Sequence, residues 1–403
     1  MRAGGVVAAG LLVYGASSEQ ASAQSLASAV GNAINGGCSD FGARPLGPQL
    51  AAICGAGPAA VGVNAPTGGS VEGQAEGAQN LENALRRRLN RAHEQASLNL
   101  LDNEFCDPDD AADLRFGRIS AFAAADYQNT IQQTTYFTPG YHSDRAGATI
   151  GADTTMGVFV VGAALNLTSE SGDFRSSGGN FANTGYGGYI YGSVLPTDNF
   201  FVDWVVGYTY KDMRLNRAIS YTNAGNAVTA NGIAHGNTGS NEVRFGLSSG
   251  YDFYYKNISY GPRVGMNYSH NDINGFRENG NTGLELSYSP QTFESFTTTI
   301  GMRTAMAIST GFGVIVPQAE LDYMHEFRNN QQVFTAHFVQ DLSSAPLILS
   351  YQNDNPRRDY FGVSAGVSLV LAHGISPYLN YRAILGDPLK MTQTVTAGAR
   401  FEF

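Results

Sequence analysis

The chain has 403 residues and a formal net charge of −10 at pH 7, which argues against a nucleic-acid partner because nucleic-acid binding needs a basic surface. Charged residues make up only 14% of the chain, against about 25% in an ordinary soluble domain. Glycine reaches 49 residues and tyrosine and phenylalanine reach 21 and 22, while the mean hydropathy is slightly negative at −0.17. This composition disfavours a helical bundle and favours a sheet with one wet face and one aromatic face.

The first 23 residues are typical of a signal peptide. "MRAGGVVAAGLLVYG" carries one positive residue, Arg2, before an apolar run that is too short to span a bilayer. "ASAQ" then supplies the small-x-small pattern for cleavage after Ala23. We therefore expect export through the general secretion pathway; a buried N-terminal strand or helix is the alternative. Outside this stretch no run of about 18 apolar residues occurs, so helical membrane spans are not expected.

Three cysteines fit an oxidising compartment. A disulfide between Cys38 and Cys54 could close a short loop, which would leave Cys106 without a disulfide partner. The chain has no CxxC motif and no His-x-x-x-His pair, and we expect neither a metal site nor a cofactor.

The region before the predicted sheet has two parts. Residues 24–78 are rich in Gly and Ala and poor in charge, which predicts a short passenger or linker that is loosely ordered. Residues 79–114 form a linker with a predicted helix at 80–101, where leucines and alanines recur at steps of three and four. The helix also carries a cluster of arginines: Arg86, Arg87, Arg88 and Arg91. An unpacked surface helix is the alternative interpretation.

From residue 115 to 403 the sequence predicts strands almost without a break. About twelve are expected, near residues 117–128, 145–156, 157–169, 183–196, 199–213, 241–255, 256–271, 293–309, 312–327, 359–373, 375–386 and 389–403. Most alternate in polarity, as where Val202, Trp204 and Val206 interleave with Asp203 and Gly207.

Loop lengths also alternate along this region. The turns after the second, fourth, sixth, eighth and tenth strands are short, whereas most of the other connections are long and polar, such as 214–240. Short turns at one end, long loops at the other and an even strand count are typical of a transmembrane β-barrel. Such a sheet must close because lipid cannot satisfy backbone polar groups. We therefore predict an all-β fold, a transmembrane antiparallel β-barrel.

The last eight residues, "TAGARFEF", continue a strand in which one face is nearly all apolar and the other polar. This octapeptide resembles the C-terminal signal of outer-membrane barrels, with Thr396, Gly398, Phe401 and Phe403 in the four positions of the pattern. Segments such as "FFVDWVVGYTYKDM" and "STGFGVIVPQAELDYMHEF" resemble successive segments of the autotransporter β-domain, and the resemblance covers residues 115–403.

The resemblance implies a twelve-stranded barrel in the bacterial outer membrane, with an α-helix in the lumen that leads to a passenger at the cell surface. Residues 80–101 stand where that helix should be. Its arginines would then meet lumen acids, for which Asp203, Glu320 and Asp322 are the candidates. The implied partners are outer-membrane lipid and lipopolysaccharide, the barrel-assembly machinery and periplasmic chaperones, and we expect a monomer. Two features depart from the family: the passenger is short and without repeats, and the helix lacks the Asn-Asn pair of self-cleaving members, so no release is expected.

Enzymatic functions are not favoured. Two G-x-S-x-G matches place Ser248 and Ser364 in the middle of predicted strands rather than on a strand-to-helix turn, which disfavours a hydrolase. A barrel protease is the most serious enzymatic alternative, because His270, Asp272 and His325 lie near the predicted outer rim.

Two functional hypotheses remain. In the first, the barrel is a translocator and anchor that exports or displays its own N-terminal segment. In the second, it is a plugged porin or an adhesin that acts through its long loops, especially 214–240 and 328–358. The position of residues 24–78 distinguishes them.

Overall fold

The computed structural model describes residues 25–35, 44–55, 59–63, 116–175, 178–223 and 229–403. Its largest element is a sheet of twelve long antiparallel strands. These strands, β1 to β12 in chain order, are Phe116–Gln132, Tyr141–Met156, Phe159–Phe174, Gly179–Val194, Phe200–Asn223, Thr229–Tyr251, Ile258–Ile273, Gln291–Met306, Gly313–Glu326, Asp359–Leu371, Ile375–Leu385 and Lys390–Glu402. Two short strands, Phe253–Tyr255 and Ile308–Thr310, extend the hairpins after β6 and β8.

The sheet closes on itself. Each strand pairs with its sequence neighbours, and β12 returns to β1 in a continuous register from Lys390 opposite Gln132 to Glu402 opposite Ser120. Closure leaves no strand edge within the barrel, as a membrane requires. The prediction of an all-β barrel of about twelve strands is confirmed.

Side chains alternate strictly across the barrel wall. On β3, Val161, Leu165 and Leu167 are exposed on the outside, whereas Ala164 and Asn166 are buried on the inside. An apolar outer face and a polar inner face are what a barrel in lipid needs, since hydrocarbon covers the outside. The polarity predicted for β5 and β12 follows the same inside–outside pattern.

The two ends of the barrel differ. At the end that we call the turn end, adjacent strands are joined by short connections, for example the 3₁₀ turn Ala372–Gly374 between β10 and β11. At the opposite end, the loop end, the connections are long, and in outer-membrane barrels this end faces the cell exterior. The first and last barrel strands begin and finish at the turn end.

The connection predicted as a polar loop at 214–240 is instead part of a long hairpin. Strand β5 has 24 residues and β6 has 23, so the pair continues past the other strands at the loop end. The sequence did not reveal this because the alternation past residue 214 is short, with Ile219 and Tyr221 buried on either side of exposed Ser220, and the Gly- and Asn-rich residues that follow resemble a loop. The predicted loops after β7 and β9 also contain strands, namely Phe276–Arg277, Leu286–Tyr288, Val333–Phe338 and Leu349–Gln352, which form a second sheet.

The described parts of the N-terminal region contain secondary structure. Residues 24–78 were expected to be loosely ordered, but they contain helix α1 (Leu26–Asn35), helix α2 (Pro48–Gly55) and the strand Ala59–Val63. The sequence analysis missed these helices because helices of this length bury few side chains by themselves, and their packing partners lie more than 150 residues away in the chain. Neither described helix is long and apolar enough to cross a bilayer. The helix predicted at 80–101 lies outside the described residues.

Candidate functional site

Much of the barrel interior is lined by charged and polar side chains that pair locally, beside a buried cluster that includes Phe122, Tyr189 and Tyr191. Arg145 on β2 pairs with Asp126 on β1 at 2.6 Å. Glu242 on β6 receives Lys211 of β5 at 2.7 Å and Arg244 of its own strand at 2.6 Å. Arg263 of β7 pairs with Asp252 nearer the turn end. Such pairing allows a hydrated interior without a large charge of one sign.

The three predicted lumen acids all lie on inward-facing positions. Asp203 is buried on β5 and accepts a hydrogen bond from Ser193 at 2.6 Å. Asp322 on β9 pairs with Arg382 on β11 at 2.8 Å. Half-buried Glu320 lies two residues before Asp322 on the same face of β9. The predicted arginine partners, Arg86, Arg87, Arg88 and Arg91, lie outside the described residues, so this pairing stays a prediction.

A chamber of about 150 Å³ occupies the loop-side part of the interior. Inward polar groups of β6 to β9 line it, among them Arg244, Asn271 and Glu326, together with Phe293 and Met324. Glu326 accepts hydrogen bonds from Ser295, Thr297 and three backbone N–H groups, which fixes the wall of the chamber on this side.

Beyond the loop end stands a second structural unit, which we call the loop domain. It consists of the hairpin extension 214–237 and the connections 274–290 and 328–353. Its sheet pairs Leu286–Tyr288 with Val333–Phe338 and the latter with Leu349–Gln352. One apolar core joins these strands to the tip of the β5–β6 hairpin.

Helices α1 and α2 complete that core. On α1, Leu26, Val30 and Ile34 recur every four residues and are at most 1% exposed. On α2, Leu50 and Ile53 are 0% and 2% exposed. The loop-domain side chains in the same core include Tyr221, Leu284, Leu286, Phe334, Phe338, Leu349 and Tyr351. Burial raises the pKa of the Tyr351 hydroxyl, so it stays neutral in this core.

A polar rim surrounds the apolar contact. The backbone carbonyl of Gln340 accepts a hydrogen bond from the Gly47 N–H at 2.8 Å. The side-chain oxygen of Gln340 accepts a second one from the Leu50 N–H at 3.1 Å. The Leu342 N–H donates to the Pro45 carbonyl at 2.9 Å. Arg44 lies 3.4 Å from Asp341. Residues 44–50 and 340–342 thus interlock through backbone as well as side chains.

The strand Ala59–Val63 extends this contact. It pairs antiparallel with β5, from Ala59 opposite Asn223 to Val63 opposite Ile219. β4 does not extend this far, because its first residue, Gly179, lies opposite Arg217. The strand Ala59–Val63 therefore covers an edge of β5 that would otherwise be open. Val63 therefore lies at the loop end, whereas Phe116 begins β1 at the turn end opposite Met156.

The sequence analysis missed these contact residues. The step-of-four stripe at Leu26, Val30 and Ile34 was a readable helical signal, but the apolar residues of the loops gave no sign of their shared core. Cys54 at the end of α2 takes part in a disulfide bond, and the other two cysteines lie outside the described residues.

The four residues of the predicted assembly signal lie along β12. Thr396 faces inward and is buried, Phe401 faces outward, and Phe403 is 79% exposed at the turn end. Gly398 faces inward opposite Tyr378, and a Cβ atom placed on it would lie 2.8 Å from that ring. Recognition of these residues by the assembly machinery stays a prediction.

The residues considered for catalysis do not form a Ser-His or Cys-His pair within the described part of the chain. His270 bonds with Asp272 at 3.1 Å and His325 with Asp359 at 2.8 Å, both on the outer face near the loop end. Within the described part of the chain, neither histidine is hydrogen-bonded to a serine or cysteine. Ser248 and Ser364 lie within β6 and β10, on inward positions.

Comparison with known proteins agrees with the geometry. The family model of the autotransporter β-domain matches residues 121–382. The protein YaiT of Escherichia coli (strain K12) is 24% identical over an alignment of 208 residues, and the match covers 48% of this chain and only 19% of that relative.

Two solved structures share the fold. The translocator domain of the autotransporter NalP from Neisseria meningitidis has a TM-score of 0.55 at 11% identity, covering 77% of this chain and 97% of that one. The β-domain of the Bordetella autotransporter BrkA has a TM-score of 0.52 at 17% identity, covering 71% and 100%. With more than half of its length matched by the family model, this chain belongs to the autotransporter β-domain family and is an outer-membrane β-barrel translocator.

Proposed function

We propose that the barrel exports its own N-terminal segment, residues 24–63, and displays it at the cell surface. One observation carries the proposal: the described part of this segment packs on the loop domain, whereas the first barrel strand, β1, begins at the opposite end of the barrel. Val63 lies beside Ile219 at the loop end and Phe116 lies beside Met156 at the turn end.

A chain that arrives in the periplasm meets the turn end of the barrel first. Residues 64–115 connect the two ends, so the N-terminal segment has to cross the membrane to reach the loop domain. A route through lipid is disfavoured, because these residues include Arg86, Arg87, Arg88 and Arg91, and charges in hydrocarbon are costly. The interior, with polar and charged side chains on every strand, is the favourable route.

The proposal is tested with an epitope tag inserted after Ala23. Antibody should bind the tag on intact cells as well as it binds a reference tag placed in the loop domain, for example beside exposed Asn330. A tag that becomes accessible only after the outer membrane is permeabilised would exclude export. The barrel would then be a plugged porin or an adhesin that acts through its loops alone.

A further inference from the structure

The loop domain and the N-terminal helices each lack a complete core of their own. Helices of 10 and 8 residues are too short to be stable alone in water. Conversely, the loop-domain side chains in the core that they share include Leu284, Leu286 and Phe338, all with 0% exposure. Without the helices these side chains would form part of an apolar patch at the cell surface.

We propose that the loop domain is a binding site for residues 25–55 of this chain, and that its non-covalent contacts hold the segment after export even when the linker at 64–115 is cut. The proposal rests on the export function proposed above. It gives the exported segment a defined role: the segment is the missing half of a surface domain rather than a released effector.

The contacts support binding of this kind. Five large apolar side chains of the segment, Leu26, Val30, Ile34, Leu50 and Ile53, are at most 2% exposed. The polar rim adds the hydrogen bonds from Gly47 and Leu50 to Gln340, and strand pairing of Ala59–Val63 follows in sequence. An apolar centre with a hydrogen-bonded rim is the arrangement found in stable protein interfaces.

Chain reach argues against a disulfide between Cys54 and Cys106. Cys106 precedes Phe116 by ten residues, which span at most about 36 Å when fully extended. Cys54 follows Ile53, whose carbonyl accepts a hydrogen bond from Tyr221 near the tip of β5. At about 3.3 Å per residue and a tilt of roughly 45°, β5 rises roughly 50 Å between Phe200 at the turn end and Tyr221. Because this rise exceeds the reach of ten residues, we expect no disulfide to tether the segment to the barrel.

The test uses the full chain with a tag after Ala23 and a sequence-specific protease site inserted after Val63. Tag accessibility on intact cells is measured before cleavage, which tests export separately. After cleavage, confirmed by the smaller barrel band on a gel, the tagged fragment should stay on washed cells, with or without reductant. Appearance of the wild-type fragment in the medium would overturn the proposal. A fragment that is held only in the absence of reductant, and that a Cys106→Ser variant releases even without reductant, would also contradict it, because a disulfide to Cys106 would then be the link.

A pair of matched variants localises the binding face. Leu50→Asp with Ile53→Asp places two charges in the apolar core and should speed fragment release roughly a hundredfold or more. Ala51→Asp with Ala52→Asp places the same charges on the exposed face of the same helix and should release the fragment as slowly as wild type. Equal retention in both variants would show that this face does not hold the segment.

A second measurement needs no cleavage of the linker. In the uncut protein, the loop domain of the Leu50→Asp, Ile53→Asp variant should become sensitive to a nonspecific protease, while the barrel stays resistant. Loops that are equally resistant in this variant and in its Ala51→Asp, Ala52→Asp control would contradict mutual completion of the core.

Discussion

Arg217 and Glu278 form an ion pair in the loop domain in which neither side chain is exposed to solvent. Glu278 also accepts hydrogen bonds from the Leu286 N–H and the Tyr288 hydroxyl, while Arg217 donates to the Leu284 carbonyl. The pair therefore joins the β5–β6 hairpin extension to the loop after β7. Because of burial and the neighbouring carboxylate of Glu278, the pKa of Tyr288 is raised well above its usual value.

We expect Glu278→Ala to destabilise the loop domain by about 3–5 kcal/mol, since it leaves the Arg217 guanidinium buried without a carboxylate. The double change Arg217→Met, Glu278→Leu should cost clearly less, because it removes both charges and keeps the volume. The exposed pair Arg214 and Asp212, at 3.9 Å on the same strand, supplies the control, and Asp212→Ala should have little effect. Protease resistance of the loops in detergent-solubilised protein is the measurement. A single Glu278→Ala variant as resistant as Asp212→Ala would show that the pair does not hold the loops together.

A second prediction concerns acid sensitivity of the rim between the N-terminal segment and the loops. Burial tends to raise the pKa of Asp341, but hydrogen bonds from Ser343 and the Leu347 N–H, together with Arg44, outweigh it and hold the pKa below its usual 3.8. A carboxyl whose folded-state pKa is depressed contributes stability above its usual pKa and loses that contribution as the pH falls through the lowered value. The stability of the contact between the N-terminal segment and the loops should therefore not change from pH 7 to 5 and should decline below about pH 4.

Hydrogen exchange at the Leu347 amide, which donates to Asp341 at 2.8 Å, reports on this contact directly. Protection should fall in the acid range in wild type. In Asp341→Asn the amide should be less protected at pH 7 and should change little on acidification. An equally steep acid dependence in Asp341→Asn would assign the effect to another group.

The barrel was predictable from sequence because membrane and lumen impose opposite polarity on alternate residues. Val206 and Gly207 on β5 carry that signal, and so do Val395 and Thr396 on β12. The loop domain was not predictable for the opposite physical reason. Its core joins residues from distant parts of the chain, such as Leu26, Leu284 and Phe338, and no local period marks such contacts.

Gly398, predicted as part of an assembly signal, also has a packing role that yields a third prediction. A Cβ atom there would lie 2.7 Å from the Ala123 carbonyl oxygen on β1 and 2.8 Å from the Tyr378 ring on β11. Gly398→Val should therefore destabilise the barrel by about 1–3 kcal/mol in detergent. Gly188→Val, on an outward position with no atom within 4 Å of the new Cβ, is the control and should refold as wild type does. Heat-dependent gel mobility of refolded protein measures both. Normal refolding of Gly398→Val combined with poor assembly in cells would leave recognition as the role of this glycine.

A fourth prediction tests the helix expected at 80–101. If it occupies the lumen, its deletion should leave a folded barrel with a much larger single-channel conductance in planar bilayers. Changing Arg86, Arg87, Arg88 and Arg91 to Glu should act in the same direction but more weakly, because like charges would then face Glu320 and Asp322. Unchanged conductance after the deletion would mean that the helix lies outside the barrel.

The final prediction separates recognition from stability at the end of the chain. Phe403 is exposed at the turn end and its N–H donates to the Ile119 carbonyl at 3.1 Å, so it makes one backbone contact with β1. Burial of its side chain at the lipid rim contributes at most roughly 1.5–3 kcal/mol to stability. The backbone hydrogen bonds between β12 and β1, by contrast, extend over the whole of β12. Deletion of Phe403 should therefore leave refolding from urea into detergent nearly normal.

The same deletion should reduce assembly in cells, because an aromatic-tipped strand end is a template for strand addition by the assembly machinery. Ala397→Arg should behave differently. Ala397 faces outward in the middle of β12, and a charge near the bilayer midplane costs roughly 2–4 kcal/mol in whatever bilayer the barrel folds. Refolding into lipid vesicles and assembly in cells should both suffer, whereas Ala397→Leu should be tolerated in both. If deletion of Phe403 impaired refolding as badly as it impaired assembly in cells, the terminal aromatic would be a packing residue and not a recognition signal.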